Sequence, residues 1–180
     1  MAWAVSVRLT LGQRSVKGAE SVALQAHHLM AGLAYKVAMF IDWPGTAFAG
    51  AGDPFVFAVL GNDPFGENLE TILQGRTIKN RPVVIKRFSR VEDVTKCHIL
   101  FISDSEEKEV PEILTKLRGR PILTVGGMTN FAKLGGVVGF VQVRRTVKFE
   151  LNRTAWIAAR LEVEARLQGN AVRILDEPLE

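Results

Sequence analysis

The sequence predicts an α/β fold: a single three-layer domain with a mostly parallel sheet, helices on both faces, and a C-terminal antiparallel hairpin followed by a long helix. Three observations carry this expectation. Short apolar runs at 55–60, 98–103 and 121–125 alternate with stretches of helical character, the pattern of parallel strands buried on both sides. Two later runs, 137–143 and 147–151, are separated only by Arg144, Arg145 and Thr146, which is too short for a crossover and implies a hairpin. The chain has 180 residues, 47% of them hydrophobic and 23% charged, enough for one core without disulfide or metal staples. Its single cysteine, Cys97, agrees with that.

The elements follow in order. Residues 22–43 read as a helix, because Leu29, Leu33, Val37 and Phe40 recur at helical spacing. Pro44 is expected to stop it, and a small-residue loop follows to Asp53. The run 55–60, bounded by Pro54 and Gly61, is a buried strand. Asp63-Pro64 opens a short helix to about Leu73, with proline allowed in the first turn. Strands at 83–88 and 98–103 come next, then a helix from Ser105 to about Gly119 and a strand at 121–125. A short helix or turn spans 130–133, and Gly135-Gly136 introduces the hairpin. Asn152 is a good N-cap for a final long helix closing at Gly169. Residues 1–21 read as an N-terminal arm or signal-peptide remnant, 22–176 as the domain, and 177–180 as a C-terminal tail.

Composition excludes several functions. The longest apolar stretch, 29–41, is about 13 residues and contains Lys36, short of the ~20 needed to span a bilayer, so no membrane insertion is expected. The net charge is +4, and its densest basic stretch, Lys79, Arg81, Lys86, Arg87 and Arg90, straddles a predicted strand. Nucleic-acid binding would call for exposed aromatics among those cations, and Tyr35 is the only tyrosine. No nucleic-acid partner is expected.

The candidate motifs for chemistry fail on residue type. Gly61 to Gly66 has phosphate-loop glycine spacing, but Glu67 and Asn68 stand where lysine and serine or threonine belong. No G-x-G-x-x-G follows a strand, and no G-x-S-x-G is present. His27 and His28 project about 100° apart on a helix, and His98 opens an apolar strand, so no metal site is expected. Cys97, without a neighbouring base, reads as a buried core thiol. Gly126-Gly127 reads as a tight turn, with a ligand-binding loop as the alternative. No catalytic residue, cofactor or metal is expected.

Five blocks occur in order along the chain. Tyr35, Phe40, Trp43 and Pro44 match a Y-x-x-x-F-x-x-W-P opening, and Gly61, Pro64, Phe65 and Gly66 complete a strand followed by G-x-D-P-F-G. Cys97 and the residues after it match C-H-I-L-F-I. Gly135 and Gly136 close the next block, after Leu123-Thr124-Val125 and Phe131, and Phe149-Glu150-Leu151-Asn152 is similar to F-E-I-N. Together these blocks resemble the YfiR family of periplasmic regulators. The resemblance implies a periplasmic protein that represses a membrane-bound diguanylate cyclase by binding its periplasmic domain, lowering cyclic di-GMP and biofilm formation; a homodimer is left open. Some members carry disulfides. Here Ala58 and the cysteine-free segment 131–140 stand where partners for Cys97 would fall, so redox control is not expected.

The partner surface is expected around Glu150. Alternation places Val147, Phe149 and Leu151 on one strand face and Lys148, Glu150 and Asn152 on the other. Glu150 facing outward, Asn152 capping the next helix and Trp156 one turn on would form a charged and aromatic patch. The alternatives are that Glu150 pairs with a neighbouring cation and Trp156 is core. Two rival functions remain open. One is a small-ligand sensor with its pocket near Gly126-Gly127; the other is an enzyme using Asp63, Glu67 or Asp104 at the strand ends.

Overall fold

The computed structural model describes residues 11–144 and 146–176, with side chains from residue 25 onward. The tail at 177–180 and the first ten residues of the N-terminal arm lie outside the described residues. Helix α1 (Leu11–Ala38) starts well before the expected residue 22 and ends before Pro44. Its last turn tightens, with Met39 N donating to Lys36 O and Phe40 N to Val37 O. The next residues form strand β1 (Ile41–Asp42), so strand pairing, and not proline, ends the helix.

Strand β2 (Phe55–Leu60) is followed by α2 (Asn68–Leu73) and the β3 (Thr77–Ile78) and β4 (Arg81–Phe88) hairpin. Then come β5 (Ile99–Ile102), a 3-10 turn at Asp104–Glu109, and α3 (Val110–Leu117). Strands β6 (Leu123–Gly126), β7 (Val138–Val143) and β8 (Thr146–Asn152) follow. The C-terminal part comprises α4 (Arg153–Ala158), β9 (Glu162–Val163), α5 (Ala165–Gln168) and β10 (Arg173–Leu175).

Among the described residues the main sheet has eight strands in the order β10-β8-β7-β6-β5-β2-β4-β3. It is mostly parallel; the β7–β8 hairpin and the β3–β4 hairpin are the antiparallel pairs. Alternation along β2 divides the core. Phe55, Phe57 and Val59 join a cluster with α1, α2 and Trp156, while Val56, Ala58 and Leu60 join one with α3, Cys97 and Phe131. Both faces are therefore covered by apolar residues carried on helices.

The long C-terminal helix is corrected. Asn152 does cap α4, its Oδ1 accepting from Ala155 N at 2.9 Å. The helix then stops after Ala158, Arg160 takes a left-handed φ of 55°, and β9 pairs with β1 through Ile41 opposite Val163. The spacing of Trp156, Ala159, Val163 and Leu167 imitates one helical stripe, and all four are buried in one cluster. They reach it from three different elements and their connections. Strand β10 was absent from the expectation; it adds to β8 in parallel, with Arg173 opposite Glu150. The hairpin thus lies inside the sheet, not at its side.

Candidate functional site

The chain order of β2, β4 and β5 places β4 and β5 on opposite sides of β2, so their carboxyl ends form a topological switch point, where open α/β sheets usually bind ligands. Here side chains of the protein fill it. Asn62 N donates to Ser105 Oγ (3.0 Å), and that hydroxyl donates to Glu106 Oε1 (2.8 Å). Gly61, at φ 86°, is required there because a Cβ would clash with both side chains. Gly126 and Gly127 are filled likewise. The Phe131 ring occupies the space of a side chain at Gly126 and at Gly136, and the Met30 thioether does so at Gly127. The glycines of this motif therefore make room for core side chains and form no ligand cradle.

Of the strand-end carboxylates, Asp63 and Glu67 line one open depression with Glu70 and Arg87, and Asp104 lies apart from it. Asp63 accepts from Phe65 N (2.7 Å) and from Arg87 Nε (2.6 Å). The same guanidinium binds Glu70 through Nη1 at 2.7 Å, and this hydrogen bonding holds the Glu70 carboxyl below its usual range. Gly66 O accepts from Arg87 as well, while Pro64 is half-buried beside the fully buried Phe65. Glu67 is exposed, and Asp104 lies 4.0 Å from His27 Nε2. Among the described residues no group of three His, Cys, Asp or Glu is placed to hold a metal.

His98 has a structural role that sequence reasoning missed. Its Nδ1 accepts from Val56 N at 2.9 Å, and its Nε2 lies 3.2 Å from Ala47 O, which assigns the proton to Nε2. Burial pushes its pKa down to about 4, against the opposing effect of the Ala47 hydrogen bond. The ring stacks on Phe48 at 4.3 Å, and Arg81 covers the other side of Phe48 at 3.9 Å. Arg81 Nη1 also donates to the carbonyls of Gly50, Ala51 and Asp53. Trp43 packs edge-on against Phe55 at 4.9 Å. The small-residue loop is thereby fastened to the sheet. The one sequence signal was a histidine at the head of an otherwise apolar run. Cys97 is 5% exposed, and burial pushes its thiol up to about 12.

The other motif residues serve packing. Tyr35 Oη donates to Thr77 O at 3.1 Å, tying α1 to β3. Phe40 lies under Arg166, and Pro44 O accepts from Ala47 N at 2.8 Å. Gly135 adopts φ 103°, and Phe149 is buried in the core cluster with α1.

The outward patch around Glu150 is corrected in exposure, although its strand face is as expected. Phe149 and Leu151 enter the core cluster, so Glu150 and Asn152 face the other side. Glu150 is nevertheless only 9% exposed, because Arg173 of β10 donates to Glu150 Oε1 from Nη2 (2.5 Å) and Nε (3.2 Å). Asn152 is fully buried: its Nδ2 donates to Ala132 O at 2.7 Å while its Oδ1 caps α4. Trp156 is core, at 6% exposure. The exposed apolar side chain of α4 is its neighbour Ile157, at 63%, and Arg153 pairs with Asp176 across to the end of β10.

The fold and these contacts define a mixed α/β domain whose strand-end polar groups are mostly bonded within the protein. The chain belongs to the YfiR/HmsC-like family, which it matches over residues 27–171. No curated protein matches it significantly. The family is one of regulatory proteins rather than enzymes. Among the described residues no helix is long and apolar enough to cross a membrane.

Proposed function

We propose that this chain is a periplasmic regulatory binding protein that represses a membrane-bound diguanylate cyclase through the cyclase's periplasmic domain, lowering cyclic di-GMP and biofilm formation. The family match over residues 27–171 is the observation that carries this reading. The internally filled switch point supports a scaffold whose function lies on its surface. The partner surface is the corner formed by α4, β8 and β10. There Ile157 is exposed, and the Glu150–Arg173 and Arg153–Asp176 pairs supply charge. An apolar anchor with a polar rim is the usual anatomy of a protein interface.

Titrating the purified chain against the purified periplasmic domain of the cyclase tests the function. Saturable binding, with cyclic di-GMP rising in cells that lack this chain, is expected; no binding between two folded proteins overturns the reading. Ile157→Asp tests the surface. It is expected to leave the melting temperature nearly unchanged, since exposed substitutions cost within ~0.5 kcal/mol, and to weaken binding at least ~10-fold, or about 1.4 kcal/mol. Undiminished binding by the folded variant removes this corner from the interface.

A further inference from the structure

A second concave feature lies at the opposite end of the sheet from the filled switch point. It is a cleft of about 290 Å³ between the C-terminal end of α3 and α4, beside the starts of β6 and β7. This is near the lower end of the ~300–1,000 Å³ typical of small-molecule sites. Leu114 and Leu117 form one wall, and Ala155, Ala158 and Ala159 form the other. The charged residues lining it are Arg118, Arg120 and Lys133; no carboxylate is among them.

The walls are held apart by bonds that do not depend on a ligand. Arg160 Nη2 donates to Gly119 O at 2.7 Å, linking the end of α4 to the turn after α3. Arg120 Nη2 donates to the carbonyls of Val94 and Thr95, which fixes its guanidinium without neutralising it. Thr124 Oγ1 accepts from Val137 N at 3.0 Å, which leaves its hydroxyl proton and a second lone pair for other partners. Cations and a hydroxyl donor thus meet apolar walls, and positive potential focused in a low-dielectric cleft favours an anion.

We propose that this cleft binds a small organic anion, a carboxylate carried on an apolar body. The apolar part lies between α3 and α4, and the carboxylate faces Arg120 and Lys133. The site is separate from the α4–β10 corner assigned to the protein partner and does not rest on that assignment.

Calorimetric titration with phenylacetate, and with phenylacetamide as its uncharged counterpart, tests the proposal on the full chain. Phenylacetate is expected to bind saturably at one site, at least ~10-fold more tightly than the amide, because the amide gives the cations no charge to pair with. Lys133→Glu, at an exposed position, is expected to weaken phenylacetate binding at least ~10-fold with an unchanged circular dichroism spectrum. Ala158→Phe is expected to abolish it by filling the cleft. If Ala158→Phe fails to fold, Lys133→Glu decides alone. Absent phenylacetate binding, equal binding of the amide, or full affinity in Lys133→Glu overturns the proposal.

Discussion

Arg173 lies across Glu150, the two side chains meeting between parallel strands β10 and β8 with both guanidinium contacts made to one carboxylate oxygen. The pair is asymmetric in burial: the Glu150 side chain is 11% exposed and that of Arg173 51%. Glu150 is therefore a fastening point for the last strand as well as part of the proposed interface.

Glu150→Lys is accordingly expected to destabilise the fold, since it sets two cations against each other at a largely buried position. Hydrogen bonds to charged groups contribute ~1.5–3 kcal/mol, and the partly solvated arginine places the expected loss near the lower figure. Denaturant midpoints of wild type, Glu150→Lys and the exchanged pair Glu150→Arg with Arg173→Glu measure it. The exchange is expected to recover part of the loss. A Glu150→Lys midpoint equal to wild type would mean that Arg173 does not hold β10 in place.

Asn152 joins two structures through one amide: its oxygen caps α4, and its nitrogen serves the Ala132 carbonyl. Asn152→Ala removes a cap worth ~1 kcal/mol and leaves a buried acceptor unpaired at a cost of ~1–3 kcal/mol. The expected total is roughly 2–4 kcal/mol. Asn152→Ser keeps a capping oxygen and loses only the amide donor, so it is expected to fall between wild type and Asn152→Ala. Equal stability of alanine and wild type would remove the double role.

The depressed pKa of His98 gives a signed pH dependence. The folded protein protonates this ring near pH 4, the unfolded chain near 6.5. Between those values unfolding takes up a proton, so stability falls as pH drops from about 6.5 towards 4 and is independent of His98 above that window. The contribution is about 3 kcal/mol. Chemical denaturation at pH 5 and pH 7 is expected to show a smaller difference for His98→Gln than for wild type. Identical differences would mean that the ring protonates in the folded state as readily as in the unfolded chain.

Cys97, buried and with its thiol pushed up to about 12, carries little reactive thiolate at neutral pH. A thiol-reactive dye is expected to label the native protein slowly and the unfolded protein quickly. Cys97→Ala is expected to cost roughly 1 kcal/mol, the loss of one small buried group, and to leave cyclase binding intact. Rapid native labelling would overturn the assignment of Cys97 to the core.

The apolar strands, the β7–β8 hairpin, the Asn152 cap and the face of β8 on which Glu150 sits were all legible in the chain. Each is written in neighbouring residues, as an uninterrupted apolar run, an alternation or a side chain that bonds three positions on. The family resemblance was legible because its motifs fix residue types that packing demands: Gly136 beside Phe131, and Gly61 beneath Ser105 and Glu106. The tertiary structure alone decided whether those positions meet solvent. Arg173 reaches Glu150 from 23 residues away, and Ser105 meets Asn62 from 43. Strand β10 has three residues and β9 two, too short to show a periodicity of their own. Their conformation comes from the strands they pair with, so neither the covering of Glu150 nor the filling of the switch point leaves a local pattern in the chain.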